Sequence, residues 1–308
     1  MRIKYKKTDR IVTQNIFKFL KTVIITLVAL YGLLVILLKI PVVQEQLTIV
    51  VQRQLTTILD TPVGIEHINI GYPDRIILDN VSIKDLQGEQ LLQVARLSAR
   101  FEWIPLLRDG RISIHTAQIF GLQANINRQY PKAPLNLQFI IDRLSTPKDT
   151  TSENKLDLRI NSLLVRRSKV NYDVVSEKKT PERFNPNHLA FSNINANISL
   201  KALNKDSVNL HIKRFDFKEH SGFTLKGLEA HMTGNKRGIH LQDFKLNLPQ
   251  SHLSLNELKM DFQNDSIPFR NFIMNGGLAK GSHLTPSDIA SFIPALSDFN
   301  SKLNLSIP

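Results

Sequence analysis

The chain opens on a run without charge, Thr22 to Leu38 (TVIITLVALYGLLVILL), bracketed by Lys21 and Lys39. About 17 residues is the short end of what a helix needs to cross a bilayer core. Phe17, Phe19 and Leu20 extend the apolar character upstream, with Lys18 and Lys21 placed to snorkel to the interface. A buried core helix and a cleaved signal peptide are the alternatives. Soluble helices of this length normally show a polar face. The run is long for a signal peptide, and Lys39-Ile40-Pro41 follows it where small residues of a cleavage site would stand. The pattern predicts a retained signal anchor, with Leu27, Leu30, Leu33, Leu34, Ile36 and Leu37 as its membrane residues.

A second pattern covers Pro41 to Asp60. Val43, Leu47, Val50, Val51, Leu55, Ile58 and Leu59 recur at helical spacing behind a first-turn proline, with Gln44, Gln52 and Thr56 opposite. This predicts an amphipathic helix that either lies on the membrane surface or packs on the first strands.

From Val63 onward the chain alternates in short strands. Val63–Ile70, Ile76–Lys84, Leu91–Trp103, Arg111–Ile119 and Leu122–Asn127 are predicted first, with a turn at Ile104–Gly110 and a short helix at Ala133–Leu144. Polar stretches at Pro147–Asn154 and Ser176–Asn187 read as loops.

Later strands share one spelling, in which two polar residues interrupt the alternation. Leu210-x-Ile212-Lys-Arg-Phe215-x-Phe217, Phe223-x-Leu225-Lys-Gly-Leu228-x-Ala230-x-Met232, Ile239-x-Leu241-Gln-Asp-Phe244-x-Leu246-x-Leu248 and Leu253-x-Leu255-Asn-Glu-Leu258-x-Met260-x-Phe262 are successive copies. Phe191-Ser-Asn-Ile194 and Ile65-Glu-His-Ile68 begin others. A step of three would flip every later side chain to the other face. A β-bulge at the polar pair absorbs the extra residue and restores the face. Bulges in successive strands would bend a sheet along one line. The prediction is a mostly β fold: a curved, bulged antiparallel groove with one apolar and one polar face, built as a meander. An ordinary sandwich, with the apolar faces meeting, is the alternative. Leu225, Leu228, Leu241, Phe244, Leu246, Leu255, Leu258 and Met260 are the candidate lining.

Thr285 to Leu296 interrupts the strands with helix signals: Thr285 as N-cap, Pro286 at the first position and Asp288 at the third. This segment and Ala133–Leu144 are candidate lids or end plugs. A strand then starts at Asn300 and stops at Pro308, which predicts a longer chain.

Charge sets the orientation. Arg2, Lys4, Lys6, Lys7, Arg10, Lys18 and Lys21 precede the apolar run against the single acid Asp9, so the N-terminus is expected in the cytoplasm and the body outside. The net charge of +13 raises nucleic acid as a partner. Its basic residues are scattered through strands without interleaved aromatics, which argues against one. The chain has no Cys, which removes disulfides, Cys-based metal sites and a Cys nucleophile; the expected compartment is a bacterial periplasm.

Signals for chemistry are weak. The nine His are dispersed, and neither a His-Glu-x-x-His nor a Gly-x-Ser-x-Gly motif occurs. Gly276–Ser282 resembles a phosphate loop but lacks the Lys after Gly281 and lies between strands. His231 and His240 are expected on a polar sheet face, and Asp79 and Asp85 beside turns. No catalytic, cofactor or metal site is predicted.

Several stretches together resemble a known family. They are the basic N-terminus and anchor, Ile-Pro-x-Val-Gln at 40–44, Pro62–Ile70, Leu78–Asp85 with the Gly88 turn, Leu106–Ile114 and Gly281–Pro294. The chain resembles the N-terminal part of AsmA-like and TamB-like inner-membrane proteins, in a form like that of Bacteroidota. The resemblance implies a chorein-like β-groove related to bridge-like lipid-transfer proteins, implicated in phospholipid traffic or outer-membrane protein assembly, without catalytic residues. It also implies an outer-membrane β-barrel assembly partner, met through a C-terminal part that has no counterpart here.

The expected organisation is a cytoplasmic tail (1–21), an anchor (22–38), an amphipathic linker (39–62) and a periplasmic groove domain (63–308). The expected function is guidance of phospholipid or other acyl-chain lipid between the inner and outer membranes. The alternative is a scaffold that assists outer-membrane protein assembly without carrying lipid; a cell-envelope hydrolase is a more distant one.

Overall fold

The computed structural model describes residues 3–71, 74–102, 104, 108, 112–145, 156–180, 183–203, 207–235, 237–262 and 272–305. The first helix, α1, runs Ile3–Leu37 without a break between the basic tail and the apolar run. Its Phe17–Leu37 part is long and apolar enough to cross a membrane, and none of it is buried against the rest of the protein. Three residues later α2 begins with Pro41 in its first turn and runs to Leu59, where Asp60 takes a left-handed conformation at φ 55°. The joint is held by hydrogen bonds: the buried Gln44 donates from Nε2 to the Leu38 carbonyl at 3.1 Å, satisfying an end group of α1.

The body is one curved, unclosed sheet of 14 strands among the described residues. In chain order they are β1 (Val63–Gly64), β2 (His67–Gly71), β3 (Arg75–Lys84), β4 (Gln90–Phe101), β5 (Ile112–Arg128), β6 (Leu156–Val174), β7 (His188–Leu203), β8 (Ser207–Glu219), β9 (Thr224–Asn235), β10 (Gly238–Asn247), β11 (His252–Phe262), β12 (Phe272–Leu278), β13 (His283–Leu284) and β14 (Leu303–Asn304). A short helix, α3 (Gln138–Ser145), lies between β5 and β6. The apolar faces do not meet as in a sandwich, because there is a single sheet.

Several expectations change. The meander is broken once: β5 and β6 pair in parallel, Ile119 beside Val165 and Ala124 beside Val170. A parallel pair needs a long return connection, which residues 129–155 with α3 supply. The stretch 63–70 holds two strands, and the two strands expected from 111 to 127 are one, Ile112–Arg128, turned at Gly121. Thr285–Leu296 forms two 3-10 turns, Pro286–Ile289 and Pro294–Leu296, with no side-chain cap. Thr285 instead donates to the Gln250 carbonyl at 3.1 Å, and Asp288 accepts from Gln250 N and Ser251 Oγ. Docking on the β10–β11 turn takes the groups that would have capped a helix. The loop at 147–154 lies outside the described residues, as does most of the 104–110 turn.

Kinks of the predicted kind are present, two of them in predicted copies (Asn193 and Asp243) and three, at Asn80, Gly121 and Arg167, in strands not read as copies. Asn80, Arg167, Asn193 and Asp243 have φ of 51°, and Gly121 has 66°. Each is the second of the two residues that interrupt the alternation. Asn80 sits between the register pairs Asp79↔Arg96 and Val81↔Val94, so it faces Ala95. Ala95 in turn faces Gly121, between Arg96↔Phe120 and Val94↔Leu122. A Cβ on Gly121 would stand 3.0 Å from the Ala95 Cβ. Farther along, register slips mark the line at Ile212/Phe215 (β8–β9), Gln242/Lys245 (β9–β10) and Leu255/Leu258 (β11–β12). Extra residues on one line increase local twist and bend the whole sheet.

The densest core is at the end of the sheet next to α2. Leu59, Val63, Ile65, Ile68, Leu78, Val81 and Val94 are buried together, with Val51, Leu55, Ile58, Leu97, Ile119, Leu122 and Ile140 packed around them. Residues 39–62, expected as a linker, therefore dock on the body as α2.

The left-handed kinks give a direct test. Asp243→Gly should change unfolding free energy by less than about 1 kcal/mol. Asp243→Val should destabilise by about 1–2 kcal/mol or more, because a β-branched residue is strained there. Equal denaturation midpoints for the two variants would remove the kink from the account of the bend.

Candidate functional site

Side chains directly opposite in neighbouring strands share a face, so the register defines the candidate site. One apolar row crosses six strands: Val165, Ala196, Phe215, Leu228, Leu246 and Leu253 are successive partners. A second passes through Leu210, Met232, Leu241 and Leu258. Phe217 pairs with Leu225, Phe244 with Leu255 and Ile239 with Met260. All eight predicted lining residues thus lie on one face, from β9 to β11. At about 4.8 Å per strand, the face from β6 to β11 is ~24 Å wide.

This face divides into a filled part and an uncovered part. Over β1–β5, α2 and Ile140 of α3 complete the core, and Ile68, Leu78, Val81 and Val94 are all buried. From β6 to β11 Ala196, Leu225 and Ala230 are buried, while Val165, Ile198, Phe215, Leu228, Phe244, Leu246, Leu255, Leu258 and Met260 stay half-buried. Among the described residues no second sheet lies over them. The uncovered stretch is a trough.

One lip of the trough carries the hairpin turns at 175–187, 219–224 and 248–251. The segment 285–296, a predicted lid, is strapped along it. Phe292 packs on Phe184 and Phe223, with ring centroids 4.5 and 5.0 Å apart. Phe184 N donates to the Ser291 carbonyl at 3.2 Å. Thr285 is fully buried and its N–H donates to Ser251 Oγ. The segment dresses the rim. Of the two predicted lids, the second, as α3, contributes Ile140 to the filled end.

The opposite face is polar and paired. Arg96 grips Asp79 through two nitrogens, at 2.6 and 3.3 Å. The rings of His211 and His231 lie 5.3 Å apart. Glu257 meets Lys259 and, at 2.8 Å, His240 Nε2. No three His, Asp or Glu among the described residues are grouped to hold a metal ion. Asp85 accepts from Gln87 N and Glu89 N and so shapes its turn. Gly276 permits close approach of β11, since a Cβ there would stand 2.5 Å from the Glu257 carbonyl.

Two carboxylates hold the decorated lip, and neither was marked by a motif. Glu219 is 4 % exposed and accepts from Ser221 N at 2.8 Å, Ala190 N at 3.3 Å, Ser221 Oγ and His220. Burial pushes its pKa up, but the hydrogen bonds from Ser221, His220 and Ala190 together outweigh that and hold it below the ordinary carboxylate range. Asp173 is likewise lowered, with His188 and Lys179 outweighing its burial. His188 sets Nδ1 2.8 Å from Asp173 and Nε2 3.0 Å from the Glu177 carbonyl.

No family model matches the chain, and no curated protein matches it in sequence.

A lowered folded-state pKa contributes stability above the unfolded value that is lost as pH falls through the folded one. Wild-type protein should therefore lose melting temperature as the pH falls below the ordinary carboxylate range, about 4. Glu219→Gln should start lower at neutral pH and fall less over the same window. Parallel melting curves would remove Glu219 from the acid response.

Proposed function

We propose that this is a membrane-anchored periplasmic protein whose trough carries lipid acyl chains between the inner and outer membranes, as its resemblance to AsmA-like and TamB-like proteins implies. The observation that carries the reading is the uncovered apolar face of β6–β11. Exposed apolar surface costs about 25 cal/mol per Å² relative to burial, so a face of this size calls for an occupant. The backbone groups of the strands are spent in the ladders, and the side chains facing the trough are apolar. Such a surface holds an alkyl chain without directional bonds and lets it slide. The apolar N-terminal helix supports a source of lipid next to the sheet. The basic tail supports a cytoplasmic N-terminus.

The orientation is tested with reporter fusions. A periplasm-reporting domain placed after Leu59 should be active and one placed before Lys18 inactive; the opposite result ends the signal-anchor reading.

The trough is tested by charge. Leu228→Asp or Phe244→Asp places a carboxylate in the path of the acyl chains but leaves it solvated, so transfer should fall at least tenfold with less than about 2 kcal/mol lost in stability. Val81→Asp, in the filled end, should cost several kcal/mol and unfold the domain. Photo-crosslinkers at Leu228 and Phe244 that capture only protein, never lipid, would decide for an assembly scaffold.

A further inference from the structure

A trough that carries acyl chains needs a place where they get in. The sheet edge nearest the anchor is the first candidate, since α2 follows α1 after three residues and Lys39 Nζ lies 3.4 Å from Asn69 Oδ1 of β2. That end is occupied. Val51, Leu55, Ile58 and Leu59 of α2 pack where a chain would lie, over Ile68, Leu78, Val81 and Val94.

The helix is also long enough to shut that end from lip to lip. Nineteen residues of α2 span ~28 Å, against ~33 Å for the ten residues of β3. It runs from the Asn69 contact at one lip to Thr61 at the other, where Thr61 Oγ1 donates to the Lys84 carbonyl at 2.8 Å. Between these, Val63 N donates to Thr56 Oγ1 at 3.2 Å. Beyond them, Arg143 of α3 bonds Asp60 at 2.6 Å, tying the end of α2 to the helix that supplies Ile140 to the same core.

The filled core ends where the sheet changes direction. Ile119 and Leu122 of β5 still pack on it, whereas Val165 of β6, beside Ile119 in the parallel register, is not part of it. The way along the sheet is thus closed for three strand steps, from β1 to β5, about 14 Å.

We propose that acyl chains enter this trough sideways, across a lip at β6 or beyond, while α2 stays docked as a fixed plug of the anchored end. This rests on the lipid-conduit reading above.

The full chain, reconstituted in phosphatidylethanolamine/phosphatidylglycerol vesicles containing an alkyne-tagged phospholipid, separates the possibilities. A photoreactive residue is placed at Val165, Ile198, Ile76 or Ile83, one at a time. Capture of tagged lipid at Val165 and Ile198, with only intramolecular products at Ile76 and Ile83, is expected. Lipid captured at Ile76 or Ile83 as efficiently as at Val165 overturns end plugging. Lipid at none of the four positions overturns the conduit reading itself, and side access with it.

A clamp gives the second arm. Asp60→Cys and Arg143→Cys, both at exposed sites of a chain without Cys, are joined by a short bis-maleimide. Transfer to acceptor vesicles should match that of the singly labelled variants. A loss of about tenfold on clamping would mean that α2 must leave for lipid to enter, which overturns the fixed plug.

Discussion

A strand can keep one face apolar through a bend only if the extra residue at the bend is absorbed. Side chains alternate with period two, so a single uncompensated residue would turn the distal half of a strand inside out. In this protein the compensation recurs on one line. Where neighbouring strands both carry the extra residue, as at Asn80 opposite Ala95 and Asp243 opposite Asn256, the register runs through without a slip. Where they do not coincide, the ladder slips and recovers, as between Ile212 and Phe217. The apolar row that runs Leu78, Leu97, Ile119, Val165 and on to Leu253 exists because this device is repeated, and it passes from the filled end into the trough.

The same face meets two fates. At its N-terminal end it is completed by α2 and by α3, the helix of the parallel β5–β6 crossover. A crossover between parallel strands has to pass over a face of the sheet; here its Ile140 is spent on the apolar one. From β6 to β11 the described connections are turns at the lips, and the longer 285–302 segment is strapped along one lip. The change from filled to open follows from connectivity, at the single point where the direction of the chain along the sheet is repeated.

Much of this was legible in the sequence because it is local. The long apolar N-terminal helix, the first-turn proline of α2, the two-polar spelling of the bulges and the eight residues of the apolar face all rest on local spacing. The parallel pair was not legible: the strands of 111–127 and 156–174 alternate in the same way whichever direction they pair. The helix expected at 285–296 failed because its capping groups found better partners far away in sequence, Thr285 at Gln250 and Asp288 at Ser251. Glu219 looks like any surface acid in a β-turn until the Ala190 N–H from the neighbouring strand is brought to it. The division between filled and open could not be read either, since Val81 and Leu228 occupy identical places in the repeat and differ only in what lies above them.

That last pair states the physical problem the molecule has to solve. Both side chains follow a kink and point to the same face. Val81 is 5 % exposed because α2 brings its own apolar side chains to it. Leu228 has neighbours on either side, Phe215 and Leu246, but no second sheet above it among the described residues. A wet apolar strip many strands wide is a standing liability for aggregation, and sealing it with a permanent second layer would be the simpler way to stabilise the fold. The chain does this with α2 at one end and dresses one rim with Phe292, then leaves the middle uncovered. A surface left in that condition fits a transient occupant with no polar requirement of its own, bound by area alone and released without breaking a single directional bond.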